Sequence, residues 1–228
     1  MHYKKLLFIL VFIFFNYKAF SGEVLSPENR DKTKETSKLE KIVASLEKKY
    51  SVADFSADFF QKSTIKAMDI TETAFGKIFV KQPCMMRWEY ENPEEQTIIS
   101  DGTTLWVYRP EDNQVMTGKS PSFFGGGKGA GFLADMSSLK KQFIISLEKT
   151  DKMFYVLKLL SKEKTSDMAS IFLWLSKSSF TVLRITTYNS YNDETIINLS
   201  NIKFNQALPD SMFKFFMPEG VDILSIDE

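Results

Sequence analysis

The order of apolar and polar positions changes once along the chain, from a period of 3.6 to a period of 2. In KLEKIVASLEKKY, Leu39, Ile42, Val43, Leu46 and Tyr50 recur at helical spacing with charges opposite, which predicts an amphipathic helix. Thr36 or Ser37 is placed to cap it, with Glu40 three residues after Ser37 as in a capping box. From residue 55 alternation takes over. Phe55, Ala57, Phe59 and Gln61 alternate with Ser56, Asp58, Phe60 and Lys62, and TETAFGKIFVK, MMRWEY, QTIIS, TTLWVY and NQVMTG follow, each short and rich in aromatic or β-branched residues. Pro83, Pro93, Asp101-Gly102 and the stretch 110–113 supply turn chemistry between them. Residues 55–118 therefore predict a meander of about six strands. QFIISLEK, MFYVLKLLS, ASIFLWLSK, FTVLRITTYN and ETIINLSNIKF predict roughly five more. About eleven strands with two helical patches predict a mainly β (α+β) chain: one twisted antiparallel sheet, curled or closed into a barrel.

The second helical patch is AGFLADMSSLKKQF, where Phe132, Leu133, Met136, Leu139 and Phe143 share a face. Just before it stands GGGKGAG, with five glycines in seven residues. A phosphate loop needs G-x-x-x-x-G-K followed by Ser or Thr, and here Lys128 is followed by Gly129. Gly125, Gly127 and Ala130 satisfy a relaxed dinucleotide pattern, but that pattern works only in a strand-helix-strand unit with a parallel neighbour. An antiparallel meander offers none. The cluster is read instead as backbone freedom beside an amphipathic helix, a hinge made of Gly125, Gly126, Gly127, Gly129 and Gly131.

The ends and the charge change the picture further. MHYKKLLFILVFIFFNYKAFSG has two lysines, an apolar run from Leu6 to Phe15 and a small-residue exit, the layout of a signal peptide cleaved near Ser21. The run is about half of the ~20 residues a spanning helix needs. Residues 1–21 are thus expected to be removed on export, residues 22–37 to form a flexible polar leader, and residues 38–228 to form the domain. Cleavage removes Lys4, Lys5 and Lys18 and no acid, turning a balance of 29 bases and 29 acids weakly negative. That is a poor footing for nucleic-acid binding. Cys84 is the only cysteine, so neither an internal disulfide nor lipid attachment after the signal is available. The sole histidine is His2, so a mature chain lacks Ser-His-Asp, Cys-His and histidine-based metal sites. The reading is no enzyme, no cofactor and no metal. Aromatic residues make up 14% of the chain, 21 of them Phe, and with ten methionines they suit an adaptable apolar cavity rather than a small filled barrel.

The order of the strand motifs is also distinctive. FSADFFQKS comes first, then FGKIFVKQPCMMRWEYENPEEQTIISDGTTLWVYRPEDNQV, then FL and LKKQF after the glycines, then LPDSMFKFFMPEGVDI. Over residues 38–225 the chain closely resembles the periplasmic outer-membrane lipoprotein carrier proteins of the LolA type. The run from Phe75 to Val115, with R-W-x-Y, SDG-x-x-LW-x-Y-x-P and DNQV, is the most specific part. The resemblance implies an incomplete antiparallel β-barrel whose concave apolar face is covered by helices acting as a lid. It implies a periplasmic monomer that carries the acyl chains of triacylated lipoproteins. It would receive them from an inner-membrane ABC-type releasing complex and hand them to an outer-membrane receptor lipoprotein. Strand alternation and the family pattern together place Phe59, Phe79, Met86, Trp88, Ile98, Trp106, Met116, Phe132, Leu133, Phe143, Phe154, Phe172 and Trp174 in the acyl-chain cavity. Many members carry a basic residue before the Pro of V-K-x-P, thought to tie the barrel to its lid. Here Gln82 stands there, a donor without charge. Lid closure is therefore expected from Gln82, with Lys81 or Arg87 as substitutes. An exported carrier or sensor of another lipid in the same half-barrel is the alternative.

Overall fold

The computed structural model describes residues 27–51, 54–120, 131–162 and 170–226. The chain divides into a unit Met1–Thr36 and a unit Ser37–Glu228. The expected signal peptide and the glycines from Gly125 to Gly129 lie outside the described residues, whereas Gly131 opens a described helical segment.

Helix α1 spans Pro27–Ser51. It starts well before Ser37, so Thr36 and Ser37 are helix interior rather than caps, and residues 27–37 of the expected flexible leader are helical. Proline is tolerated in a first helical turn because its missing N–H has no partner to lose there. The Glu, Arg and Lys residues that follow are good helix formers without an apolar stripe, so periodicity does not reveal them. Within the second unit, Ile42, Val43, Leu46 and Tyr50 of α1 are buried as the spacing predicts.

Among the described residues twelve strands follow: β1 Phe55–Ile65, β2 Ile70–Lys81, β3 Met85–Asn92, β4 Gln96–Asp101, β5 Thr104–Arg109, β6 Gln114–Lys119, β7 Phe143–Thr150, β8 Phe154–Ser161, β9 Ser170–Ser176, β10 Val182–Tyr188, β11 Glu194–Phe204 and β12 Asp222–Ser225. They form one sheet in the order β12-β6-β5-β4-β3-β2-β1-β11-β10-β9-β8-β7. The two meanders join where β1 pairs with β11, and the sheet is not closed into a barrel. All pairings are antiparallel except β12 with β6. The predicted meanders are therefore present, with β12 as an added twelfth strand. Its four residues are all exposed, so it carries no alternation to read.

Turn chemistry fixes the register. Asp101 Oδ1 accepts from the N–H groups of Thr103 and Thr104, each at 2.8 Å, and Gly102 sits at φ 93°, where a side chain would be strained. At Gly76 the reason for glycine is contact. A Cβ there would stand 1.8 Å from the carbonyl oxygen of Glu89, beside the irregularity in the β2–β3 register.

Residues paired across strands share a sheet face, so the register sorts every side chain. One face, here called inner, carries Phe55, Ala57, Phe59, Ile78, Val80, Met86 and Trp88, and from the second meander Leu157, Leu159, Ile171, Leu173, Leu175, Ile185, Ile197 and Leu199. These form a single cluster with α1 and the segment after the glycines. That segment is a 3-10 stretch Gly131–Ser138, kinked at Asp135, running into a short α-helical turn Leu139–Gln142. The outer face is covered across β3 to β5 by the stretch after β11. Its 3-10 turn Asp210–Phe213 buries Phe213 completely, and Phe215 stacks on Trp106 at 6.1 Å.

Candidate apolar binding face

The inner face is lined by hydrocarbon. Among the described residues no charged side chain is buried, and the buried polar ones are Ser100, Ser120, Thr181 and Thr186. At its centre three rings meet: Phe59 lies 4.8 Å from Trp88 and 4.9 Å from Tyr90, both near edge-to-face, while Trp88 and Tyr90 are stacked at 6.3 Å. Gly76, opposite both Phe59 and Tyr90 in the register, adds no side chain between them. Trp88 Nε1–H donates to the Met86 sulfur at 2.9 Å, so even the indole nitrogen is satisfied within the cluster. Burial pushes the Tyr90 hydroxyl up to about 12. Tyr50, from α1, accepts the N–H of Val182 at 3.0 Å, and burial raises its hydroxyl well above the usual value.

Seven of the expected cavity residues meet here, and an eighth faces the same way. Phe59, Met86 and Trp88 belong to the sheet side of the cluster, Phe143 joins it from β7, and Ile98 packs at its margin. Met116 faces the same way through its pairing with Val107, itself paired with Ile98. Phe132 and Leu133 come down from the 3-10 stretch, 2% and 0% exposed. The other five point outward. Phe79 alternates with buried Ile78 and Val80, and Trp106 with buried Leu105 and Val107. Phe154 precedes inward Tyr155, while Phe172 and Trp174 alternate with Ile171, Leu173 and Leu175. The reason is packing. In β9 the compact aliphatic set fills the interior, while the larger rings lie under cations, Lys158 over Phe172 and Arg184 over Trp174, each at 5.6 Å. Alternation separates the two sets correctly but does not say which set turns inward. The inner residues that were overlooked, chiefly the leucines and isoleucines of β8 to β11, carried the same alternation signal.

The segment 131–142 is hydrogen-bonded at the β2–β3 turn and also just after β8, where the Lys162 N–H donates to the Gln142 carbonyl at 2.9 Å and its Nζ to the Lys140 carbonyl at 2.7 Å. Gln82 Nε2 donates to the carbonyl of Leu133 at 3.2 Å, and the Cys84 N–H donates to the carbonyl of Ala134 at 2.9 Å. Cys84 holds φ 60°, and burial, with Asp135 second, raises its thiol. Arg87 does not reach this segment. It faces outward, donating to Glu89 Oε1 at 2.6 Å and to the Met212 carbonyl at 3.2 Å. Lys81 is likewise engaged elsewhere, with the Leu208 carbonyl at 2.7 Å and Asp210 at 2.6 Å. Both cations pin the stretch after β11, because odd positions of β2 and β3 turn outward and that stretch offers them carbonyls.

Beside α1 an open groove of about 570 Å³ runs between Leu39, Val43 and Ala44 on one side and Lys140, Phe143 and Ile145 on the other. Among the described residues no three His, Cys, Asp or Glu side chains are grouped as metal ligands would be. The chemistry on offer is burial of hydrocarbon beneath α1 and the 131–142 segment.

Relatives share this arrangement's sequence. A family model described as Outer membrane lipoprotein carrier protein LolA matches residues 50–216. The chain belongs to the LolA family. An outer-membrane lipoprotein carrier protein of Chromobacterium violaceum is 30% identical over 75% of this chain and 81% of its own. One from Nitrosospira multiformis is 29% identical over 74% of this chain and 81% of its own. Among solved structures, an uncharacterized conserved protein of Thermus thermophilus superposes with a TM-score of 0.54 at 15% identity. The match covers 82% of this chain and 98% of that one, a likeness of fold alone. The LolA-family match spans β1 through β11, and so includes the inner face, the glycine cluster and the 131–142 segment.

Proposed function

We propose that this LolA-family chain is a periplasmic carrier, exported by a signal peptide cleaved near Ser21. In this reading it binds the acyl chains of triacylated lipoproteins and catalyses no reaction. It takes its cargo from an ABC-type releasing complex in the inner membrane and yields it to a receptor lipoprotein in the outer membrane, working as a monomer. The observation that carries the reading is the inner face itself: a hydrocarbon surface, with no buried charge among the described residues, beneath α1 and the 131–142 segment.

The energetics favour exchange over permanent binding. Each acyl CH₂ withdrawn from water is worth about 0.8 kcal/mol, so free chains are strongly driven into any apolar shelter. Here the shelter is already filled by α1 and by Phe132, Leu133 and Met136. Cargo must displace those contacts, and the gain from burying its chains is offset by the contacts it displaces. Loading is then close to balanced and reversible, as a carrier requires. Gln82 contributes a neutral bond to the Leu133 carbonyl, worth about 1 kcal/mol net, which holds the cover without a buried charge to break. The glycines from Gly125 to Gly131 act as its hinge.

Mixing the mature protein with a triacylated lipopeptide should yield a soluble one-to-one complex by size exclusion and native mass spectrometry. Aggregated lipopeptide with free protein would sink the proposal. Replacing Gly125, Gly126 and Gly127 with Ala should slow loading while leaving the final extent unchanged.

A further inference from the structure

The inner face changes chemistry toward the β1–β2 hairpin. Along β1 the inward positions run from Phe55, Ala57 and Phe59 to Gln61 and Ser63. On β3 and β11, Tyr90 and Thr195 continue the change. These four side chains form one hydrogen-bonded row. Tyr90 Oη donates to Gln61 Oε1 at 3.2 Å, Gln61 Nε2 donates to Ser63 Oγ at 3.2 Å, and the Ser63 and Thr195 hydroxyls are 3.3 Å apart. All four are half-buried. The row lies between the Phe59–Trp88 floor and the exposed hairpin end, where Ile65 and Ile70 pair.

Satisfying Tyr90 needs only Gln61. The row runs on to Ser63 and Thr195, and Gln61 keeps a second N–H beyond the one it gives Ser63. We infer that this row is a head-group site, holding the ester and amide carbonyls of an acylated ligand whose chains lie against Phe59, Trp88 and the aliphatic inner face. The inference rests on the carrier reading and adds a selectivity to it. Acyl chains end in carbonyls, and where hydrocarbon meets water those carbonyls need donors that neither charge nor crowd them. Hydroxyls and an amide supply this. Phosphate or free carboxylate would call for Arg or Lys, whereas the inward neighbour of Ser63 on β2 is Glu72, an acid that repels anionic heads. The site therefore suits an ester- and amide-linked acyl anchor over a fatty acid or an anionic phospholipid.

The test compares three probes: a synthetic triacylated cysteinyl peptide, palmitate and an uncharged apolar dye. The variant Gln61→Met/Ser63→Ala/Thr195→Val keeps volume and removes the row. It should bind dye and palmitate as the parent does and bind the lipopeptide at least tenfold more weakly. Lipopeptide affinity within twofold of the parent overturns the inference and leaves the carrier reading standing. A parent that binds the dye but not the lipopeptide overturns the carrier reading, and this inference with it. If the triple variant melts well below the parent, Ser63→Ala/Thr195→Val, which keeps the Tyr90–Gln61 bond, serves instead, with a loss of about threefold expected and no loss overturning.

Discussion

Gly76 is the residue at which backbone and packing leave no choice. A methyl group there would sit 1.8 Å from the Glu89 carbonyl, and that atom is backbone that cannot swing aside. Gly76→Ala should destabilise by roughly 3 kcal/mol, the upper end of overpacking costs, seen as a lowered urea midpoint. Tyr50→Phe strips the acceptor from the Val182 N–H, a residue with no exposure, and should cost about 1–3 kcal/mol. Alkali probes the same chemistry through Tyr90. Its folded-state value, about 12, lies above the unfolded value near 10. Its contribution is therefore complete below pH ~10 and is lost as the pH rises from there through about 12, to a limit on the order of 2 kcal/mol. Comparing unfolding midpoints at pH 9 and pH 11.5 should show this decline, and Tyr90→Phe should make it shallower. A decline of equal slope in the variant would remove Tyr90 as its source.

Elements repeat the lesson that pattern reveals partition before direction. The meanders were legible because Pro, Gly and Asp-Gly punctuate runs that alternate, and the buried stripe of α1 because Ile42, Val43, Leu46 and Tyr50 sit on one helical face. What stayed hidden had a physical cause in each case. The first turns of α1 carry no apolar stripe, and β12 is held by one parallel neighbour with all four residues exposed. Phe172 and Trp174 were assigned inward from strand alternation and the family pattern, yet the aliphatic set that alternates with them fills the interior. Arg87 was assigned to the cover when its position in β3 turns it outward, where with Lys81 it holds the stretch from Leu208 to Met212. Lys81→Met should therefore loosen that stretch rather than the cover. Amide exchange should quicken at Met212 and Lys214, whose N–H groups close the 3-10 turn, while the Cys84 amide bonded to Ala134 stays protected. Equal loosening at Cys84 would contradict the division of labour.

At the scale of the whole molecule the two faces can be told apart by light. The three tryptophans divide between them, Trp88 inward and Trp106 and Trp174 outward. Acyl chains labelled with bromine should quench the fluorescence of Trp106→Phe/Trp174→Phe, whose remaining indole is Trp88. They should leave Trp88→Phe nearly unquenched, and strong quenching there would move the chains to the outer face. The open sheet carries a separate consequence. Among the described residues β7 has no neighbour beyond β8, and β6 has on its far side only β12. That last strand is fastened by the Asp222 N–H to the Asn113 carbonyl and the Ile226 N–H to the Thr117 carbonyl, both at 2.9 Å. The outer edge of β12 offers four residues for pairing with another chain, a shorter template than the six of β6 that it covers. Deleting residues 221–228 should thus uncover the longer β6 edge and strengthen edge-to-edge association, seen as a concentration-dependent rise in apparent mass by light scattering that the full chain does not show.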